Sequence, residues 1–163
     1  MRHKMLQVPT GNDAAYFYRR SQKGGFDAEM MCGGKEAVLE NLKKLQAMDK
    51  RSDKDDQLLT TIEVVYEFYL RGFEFLPVSI YESDALKFLP VDGKLLPPFV
   101  AISGLGENAA QDIAEGRRGK TFISIEEFSA ACPKVSQAHV DALRAAGAFG
   151  DLPATSQVSL FDM

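Results

Sequence analysis

The sequence contains no tryptophan, only two cysteines and two histidines, and no long apolar run. Cys32 and Cys132 stand a hundred positions apart, too far for a metal-ligand spacing and too few for a disulfide scaffold, so they are expected to be reduced core residues. His3 and His139 have no cysteine or carboxylate cluster beside them, and no metal site is assigned. No stretch approaches the roughly 18 apolar residues of a membrane span. Met1 to Lys4 is not followed by an apolar run, so no secretory signal is expected and the location is read as cytoplasmic. Excess base is also missing. The net charge is −4 and the pI about 5.2, which argues against a broad basic surface for nucleic acid and limits any such contact to a local patch. There is no Ser-His-Asp or Cys-His arrangement, no phosphate-binding loop and no pair of carboxylates on a strand, so no catalytic residue is assigned.

What is present suffices for a core: 163 residues, 45% of them hydrophobic. Residues 1–13 carry Pro9, Gly11 and the Asn12-Asp13 pair and are expected to be irregular. A short aromatic helix is expected over Ala14–Arg20. In the next segment, Val38, Leu42 and Leu45 share one helical face. The polar run Asp49–Asp55 reads as a linker, and its acids Asp53, Asp55 and Asp56 as solvated rather than metal-binding. A stronger helix follows from about Asp56 to Leu70, with Leu58, Ile62, Val65 and Tyr69 as its stripe. Phe73–Val78 alternates as a short strand, and Leu86–Leu89 is a second candidate strand before the Asp92-Gly93 turn.

The chain is organised around residues 97–110. They read as a short helix, the turn Gly104-Leu105-Gly106, and a second helix from Glu107 to about Arg117, ended by Gly116 and Gly119. Two glycines around one apolar residue permit a tight turn. The second helix then opens with free N–H groups and the positive end of its dipole, which suit an anion. A hairpin of this kind grips a phosphate without reading bases. The candidate DNA contacts are Gly104, Leu105, Gly106, Asn108 and Ala109, with Arg117, Arg118 and Lys120 one helix length away. Glu107, Asp112 and Glu115 offset those bases, so binding is expected to be weak and sensitive to salt. Ser124 and Ser136 are N-cap candidates for two further helices, separated by Pro133-Lys134-Val135. That pair repeats the plan of the first hairpin without its glycines and is expected to be its packing mate. After Gly150 the chain becomes small and polar and ends in Gln157-Val158-Ser159-Leu160-Phe161, whose apolar pair suits a pocket on a partner.

Three stretches together resemble one family: Gly72–Pro77 through Ser83–Phe88, Leu96–Phe99 through Gly104–Ala110, and Gln157–Phe161. They are similar to the C-terminal part of the PolC-type DNA polymerase III alpha subunit, the replicative polymerase of low-GC Gram-positive bacteria. The resemblance implies a mainly α fold with a small β element, in which a tandem helix–hairpin–helix module follows part of the polymerase fingers. It divides the chain into an irregular segment (1–13), partial fingers (14–94), a duplex-DNA-binding module (95–150) and a tail (151–163) carrying a sliding-clamp-binding peptide at Gln157, Val158, Ser159, Leu160 and Phe161. The implied partners are duplex DNA, the beta sliding clamp and the rest of the polymerase, with no membrane. The family's palm aspartates have no counterpart here, so Mg2+ would belong to that missing palm and this chain is expected to carry no cofactor and not to polymerise alone. Two other readings stay open: a helical protein-interaction domain with a purely structural hairpin, and a gene remnant, which exposed apolar surface on residues 14–70 would favour.

Overall fold

The computed structural model describes residues 11–155. Among these residues seven α-helices run in the order α1 (Gly11–Gln22), α2 (Ala28–Met31), α3 (Lys35–Gln46), α4 (Asp53–Leu70), α5 (Glu107–Gly116), α6 (Ile125–Ala131) and α7 (Gln137–Ala145). Between α4 and α5 lies an antiparallel hairpin, β1 (Leu89–Val91) and β2 (Lys94–Leu96), paired Leu89 to Leu96 and closed by Asp92-Gly93. The fold is thus mainly α with a small β element, as the sequence implied.

Two apolar cores carry it. The first is built by α1–α4 with Phe73, Phe75, Phe88, Leu95 and Ala101. Its centre is a group of phenylalanines, Phe17, Phe26, Phe68, Phe75 and Phe88. Phe17 meets Phe26, Phe68 and Phe75 edge-on at centroid distances of 5.5 Å in each case, a geometry that aligns ring edges with ring faces. The predicted faces supply the rest: Val38, Leu42 and Leu45 from α3, and Leu58, Ile62 and Val65 from α4, are buried. The second core joins α5, α6 and α7 to Val78, Ile80 and Phe99. Exposed large hydrophobics on residues 14–70 are limited to Met48 and Leu70 among the described residues. The surface that would favour a gene remnant is therefore covered.

Four local expectations are corrected. The start of α1 at Gly11 takes in residues expected to be irregular, while residues 1–10 lie outside the described part. α4 begins at Asp53, inside the expected linker. Ser52 caps it, accepting from Asp55 N–H at 3.1 Å, while Asp55 Oδ2 accepts Ser52 N–H at 3.1 Å. The acids are thus the first turn of a helix, where negative charge meets the positive dipole end. Phe73–Val78 is extended but forms only an isolated bridge, Phe75 to Leu95, because its alternation buries rings and not a ladder. The second strand begins at Leu89 rather than Leu86. Leu86 and Lys87 donate instead to Asp84 Oδ2 in a side-chain-closed turn.

Candidate nucleic-acid interface

The first hairpin consists of a single 3₁₀ turn, Phe99–Ala101, the loop Ser103–Gly106 and α5. The expected short helix before the glycines is only this turn. Its carbonyl from Ile102 accepts Leu105 N–H at 3.1 Å, which folds the loop back. Leu105 is buried and anchors the loop in the second core. Gly104 has φ +84°, a region where a Cβ is strained, so glycine is required there. Gly106 is the N-cap of α5 and has no side chain to bond the helix start. The N–H groups of Gly104, Gly106, Glu107 and Asn108 make no hydrogen bond to a described residue, and all four residues are exposed. Together they form an unsatisfied cluster of donors at the positive end of a helix dipole.

Thirty residues on, Cys132–Val140 repeats this plan, except that Lys134, in the place of Gly104, does not take a positive φ. Val135 N–H donates to Cys132 O at 3.0 Å, and Val135 is buried where Leu105 was. The N-caps superimpose in conformation, Gly106 at φ −79°, ψ 177° and Ser136 at φ −80°, ψ 170°. The polar groups differ. Pro133 has no N–H. Lys134 N–H donates to Asp112 Oδ2 at 2.8 Å. Ser136 N–H donates to His139 Nδ1 at 3.1 Å, and His139 N–H to Ser136 Oγ at 3.2 Å, a capping box with histidine in the acidic place. Because Nδ1 accepts, the ring proton sits on Nε2, which donates to Gly104 O at 3.1 Å. The second hairpin therefore ties down two amides whose counterparts stay open in the first, one of them on Asp112 of α5, and reaches across to the first through His139; the N–H groups of Gln137 and Ala138, like those of Glu107 and Asn108, make no hydrogen bond to a described residue.

The predicted contacts fall in two places. Gly104, Leu105, Gly106, Asn108 and Ala109 gather at the start of α5. Only backbone is offered by Leu105 and Ala109, whose side chains are buried. Arg117, Arg118 and Lys120 lie past its other end, about 15 Å away for a ten-residue helix. Arg117 is half-buried. It donates from Nη1 to Ile80 O at 3.1 Å and lies 5.5 Å from the Phe99 ring centroid. Burial lowers its pKa, and Asp84 partly opposes this. Arg118 is exposed beside Glu115 at 3.5 Å, and Lys120 is exposed with no ion pair to a described residue. An exposed pair such as Arg118–Glu115 holds little energy and leaves the arginine available. The tail peptide Gln157–Phe161 lies outside the described residues. The chain leading to it is fixed: Pro153 O and Ala154 O accept Ile125 and Glu126 N–H at 2.8 and 3.1 Å, at the start of α6.

One cation was not foreseen from the sequence. Lys54, in the first turn of α4, shares a cavity of about 310 Å³ with Gly104, Leu105 and Gly106. Asp27 lines the same cavity. Fifty residues separate Lys54 from the glycines, and no local pattern links them. Gly116, expected to end α5, is its last residue. A Cβ there would stand 2.6 Å from Ala131 O and 2.8 Å from Cys132 Sγ, so the missing side chain sets how closely α5 and α6 approach. Among the described residues no helix is long and apolar enough to cross a membrane.

The family model described as "Helix-hairpin-helix motif" matches residues 72–158. Similar proteins include "DNA polymerase III PolC-type" of Caldanaerobacter subterraneus subsp. tengcongensis, 40% identical over 157 residues, 96% of this chain and 11% of the relative. The same-named protein of Thermotoga maritima is 38% identical over 148 residues, 91% of this chain and 11% of the relative. That of Clostridium perfringens is 36% identical over 157 residues, 96% and 11%. The chain thus spans about a tenth of the length of the curated relatives it matches, and the resemblance to PolC-type polymerases stated from the sequence holds across nearly all of it.

Proposed function

We propose a function from one premise: the chain belongs to the helix–hairpin–helix motif family. The function is to hold the backbone of duplex DNA as the non-catalytic part of a bacterial replicative polymerase in the cytoplasm, without reading bases. The observation that carries this reading is the asymmetry of the two hairpins. The second ties down the N–H groups of Lys134 and Ser136; the first leaves their counterparts on Gly104 and Gly106 open to solvent beside those of Glu107 and Asn108. A phosphate oxygen satisfies such donors, and Lys54 adds positive charge beside them. The similarity to DNA polymerases III of the PolC type supports the replicative context. In this reading the tail residues Gln157, Val158, Ser159, Leu160 and Phe161 bind the beta sliding clamp, Leu160 and Phe161 filling an apolar pocket. The remainder of the polymerase supplies the palm and its Mg2+, and this chain needs no cofactor for its own part.

Fluorescence anisotropy of a labelled blunt duplex tests the grip. Affinity is expected to be weak, independent of sequence, and to fall with salt; a hairpin neutralising about two phosphates gives a log–log slope of about −2. Absence of binding at low salt would reduce the hairpin to a structural turn and favour the protein-interaction reading. For the tail, the double change Leu160→Ala, Phe161→Ala abolishes capture of the clamp in a pull-down. Retained capture defeats that assignment and leaves the duplex reading untouched.

A further inference from the structure

Cations and an aromatic ring converge a second time, in a cleft of about 740 Å³ at the far end of α5. Lys87, Arg117, Arg118 and Lys120 line it, against two acids, Asp84 and Glu115. Four cations thus face two acids, a surplus of two. Asp84 Oδ2 accepts the N–H groups of Leu86 and Lys87 at 2.9 and 2.8 Å, and Glu115 lies beside Arg118 at 3.5 Å. Lys87 and Lys120 make no ion pair with a described residue. In a chain of net charge −4 this is a local positive field.

Tyr81 forms part of the same wall and is 42% exposed. Its position is fixed. Phe122 N–H donates to Tyr81 Oη at 3.1 Å, and the two rings lie 20° from parallel with centroids 6.1 Å apart. Phe122 in turn meets Phe128 edge-on at 5.6 Å. An exposed aromatic ring tied down this way loses little further freedom when something stacks on it.

We propose that this cleft binds single-stranded DNA, with a base stacked on Tyr81 and the adjoining phosphates held by Lys87, Arg118 and Lys120. A stacking ring needs a base face that a duplex keeps covered. The cleft volume suits one or two nucleotides rather than a duplex, since drug-sized ligands occupy roughly 300–1,000 Å³. The strand, rather than a free nucleotide, follows from distance. The cleft lies about 15 Å from the open hairpin along α5, within reach of a strand a few nucleotides long. That route rests on the duplex reading above; the cleft's chemistry does not.

Anisotropy of a labelled oligothymidylate with the full chain tests the proposal. Tyr81→Leu lowers single-strand affinity about fivefold or more, the low end of base–aromatic stacking, and leaves blunt-duplex affinity unchanged. Tyr81→Phe keeps the ring and retains binding. The double change Lys87→Gln, Lys120→Gln weakens binding and reduces the salt slope by about 1.4, from about 0.7 per phosphate lost. Unchanged affinity in Tyr81→Leu overturns the proposal. So does equal loss in Tyr81→Phe, which would assign the effect to the hydroxyl's structural bond. Competition by thymidine monophosphate as effective as by the strand overturns the strand assignment. Gly106→Ser separates the two readings: it weakens duplex binding and spares the isolated single strand.

Discussion

Replacing Gly106 by serine closes the open hairpin without deforming it. Gly106 already has the backbone of Ser136, and a Cβ there meets nothing within 4 Å. The new hydroxyl accepts a first-turn N–H of α5, as Ser136 Oγ accepts that of His139 at 3.2 Å. Serine exceeds glycine as an N-cap by only a few tenths of a kcal/mol. For a chain of this size that raises the melting temperature by about 1 °C. That bond takes the Ala109 N–H, the counterpart of the His139 N–H, and sets the hydroxyl oxygen where the anion would meet the open N–H groups of Glu107 and Asn108. Hydrogen bonds to charged groups contribute about 1.5–3 kcal/mol, and the lower figure applies at an exposed site. Duplex affinity therefore falls about tenfold while stability holds or rises. Gly106→Ala is the control. It is the poorer cap, lowers stability by about 0.5–1 kcal/mol, and leaves the amides open, so its binding loss is the smaller. Thermal melting and low-salt anisotropy on the three proteins decide the matter. A serine variant that binds duplex as well as the parent refutes the view that these amides hold phosphate. Equal losses in serine and alanine variants refute it too, because both would then reflect bulk.

Gly116→Ala reverses the usual preference for alanine in a helix. The added Cβ meets Ala131 O and Cys132 Sγ at under 3 Å, so it costs about 1–3 kcal/mol and lowers the melting temperature by roughly 5 °C. A rise, as helix propensity alone predicts, would show that α5 and α6 separate freely. Burial pushes the Cys132 thiol from its ordinary 9.0 up to about 11, and iodoacetamide at pH 8 is expected to label it only after denaturant is added. Between pH 9.0 and about 11 the unfolded chain ionises this thiol and the folded one does not. Stability therefore falls as pH rises through that window. Cys32 and Tyr69, both raised by burial, act in the same direction, and a denaturation series from pH 8 to 11 that shows no loss counts against the sign.

The helices were legible wherever a face repeated or a cap stood at the right spacing. Val38, Leu42 and Leu45 placed α3, and Ser124 and Ser136 began α6 and α7 within one residue. Errors came from reading charge as solvent. Asp53, Asp55 and Asp56 looked like a linker, yet Ser52-x-x-Asp55 is a capping box whose second member is an acid at the favourable helix end. Phe73–Val78 read as a strand because Phe73 and Phe75 face inward on either side of exposed Glu74, a requirement that an extended loop over a core meets as well as a strand does. The repeat of the hairpin was visible in order and spacing. Its polar wiring was not: the bonds from Lys134 N–H to Asp112 and from His139 to Gly104 O span 22 and 35 residues. Lys54 and Tyr81 were missed for the same reason, since each acquires a role only beside residues brought to it by the fold.

That wiring also resolves the charge balance over residues 104–120, where three acids match three bases. Counting treats every charge alike, whereas the structure gives each a different neighbour. Asp112 is held by the second hairpin's amide, and in holding it fixes that hairpin against α5. Glu115 pairs with Arg118 at the far end of the helix, a helix length from the open amides. Glu107 alone remains in the first turn beside them. An exposed carboxylate there stabilises α5 through its dipole while nothing is bound, and repels a phosphate by an amount that salt and water reduce to about 1 kcal/mol or less. One such repulsion is smaller than two charge-assisted bonds from open N–H groups. The acidic composition therefore sets a low affinity without forbidding the contact. A grip that is weak by itself becomes useful once a second attachment to the same DNA raises its effective concentration.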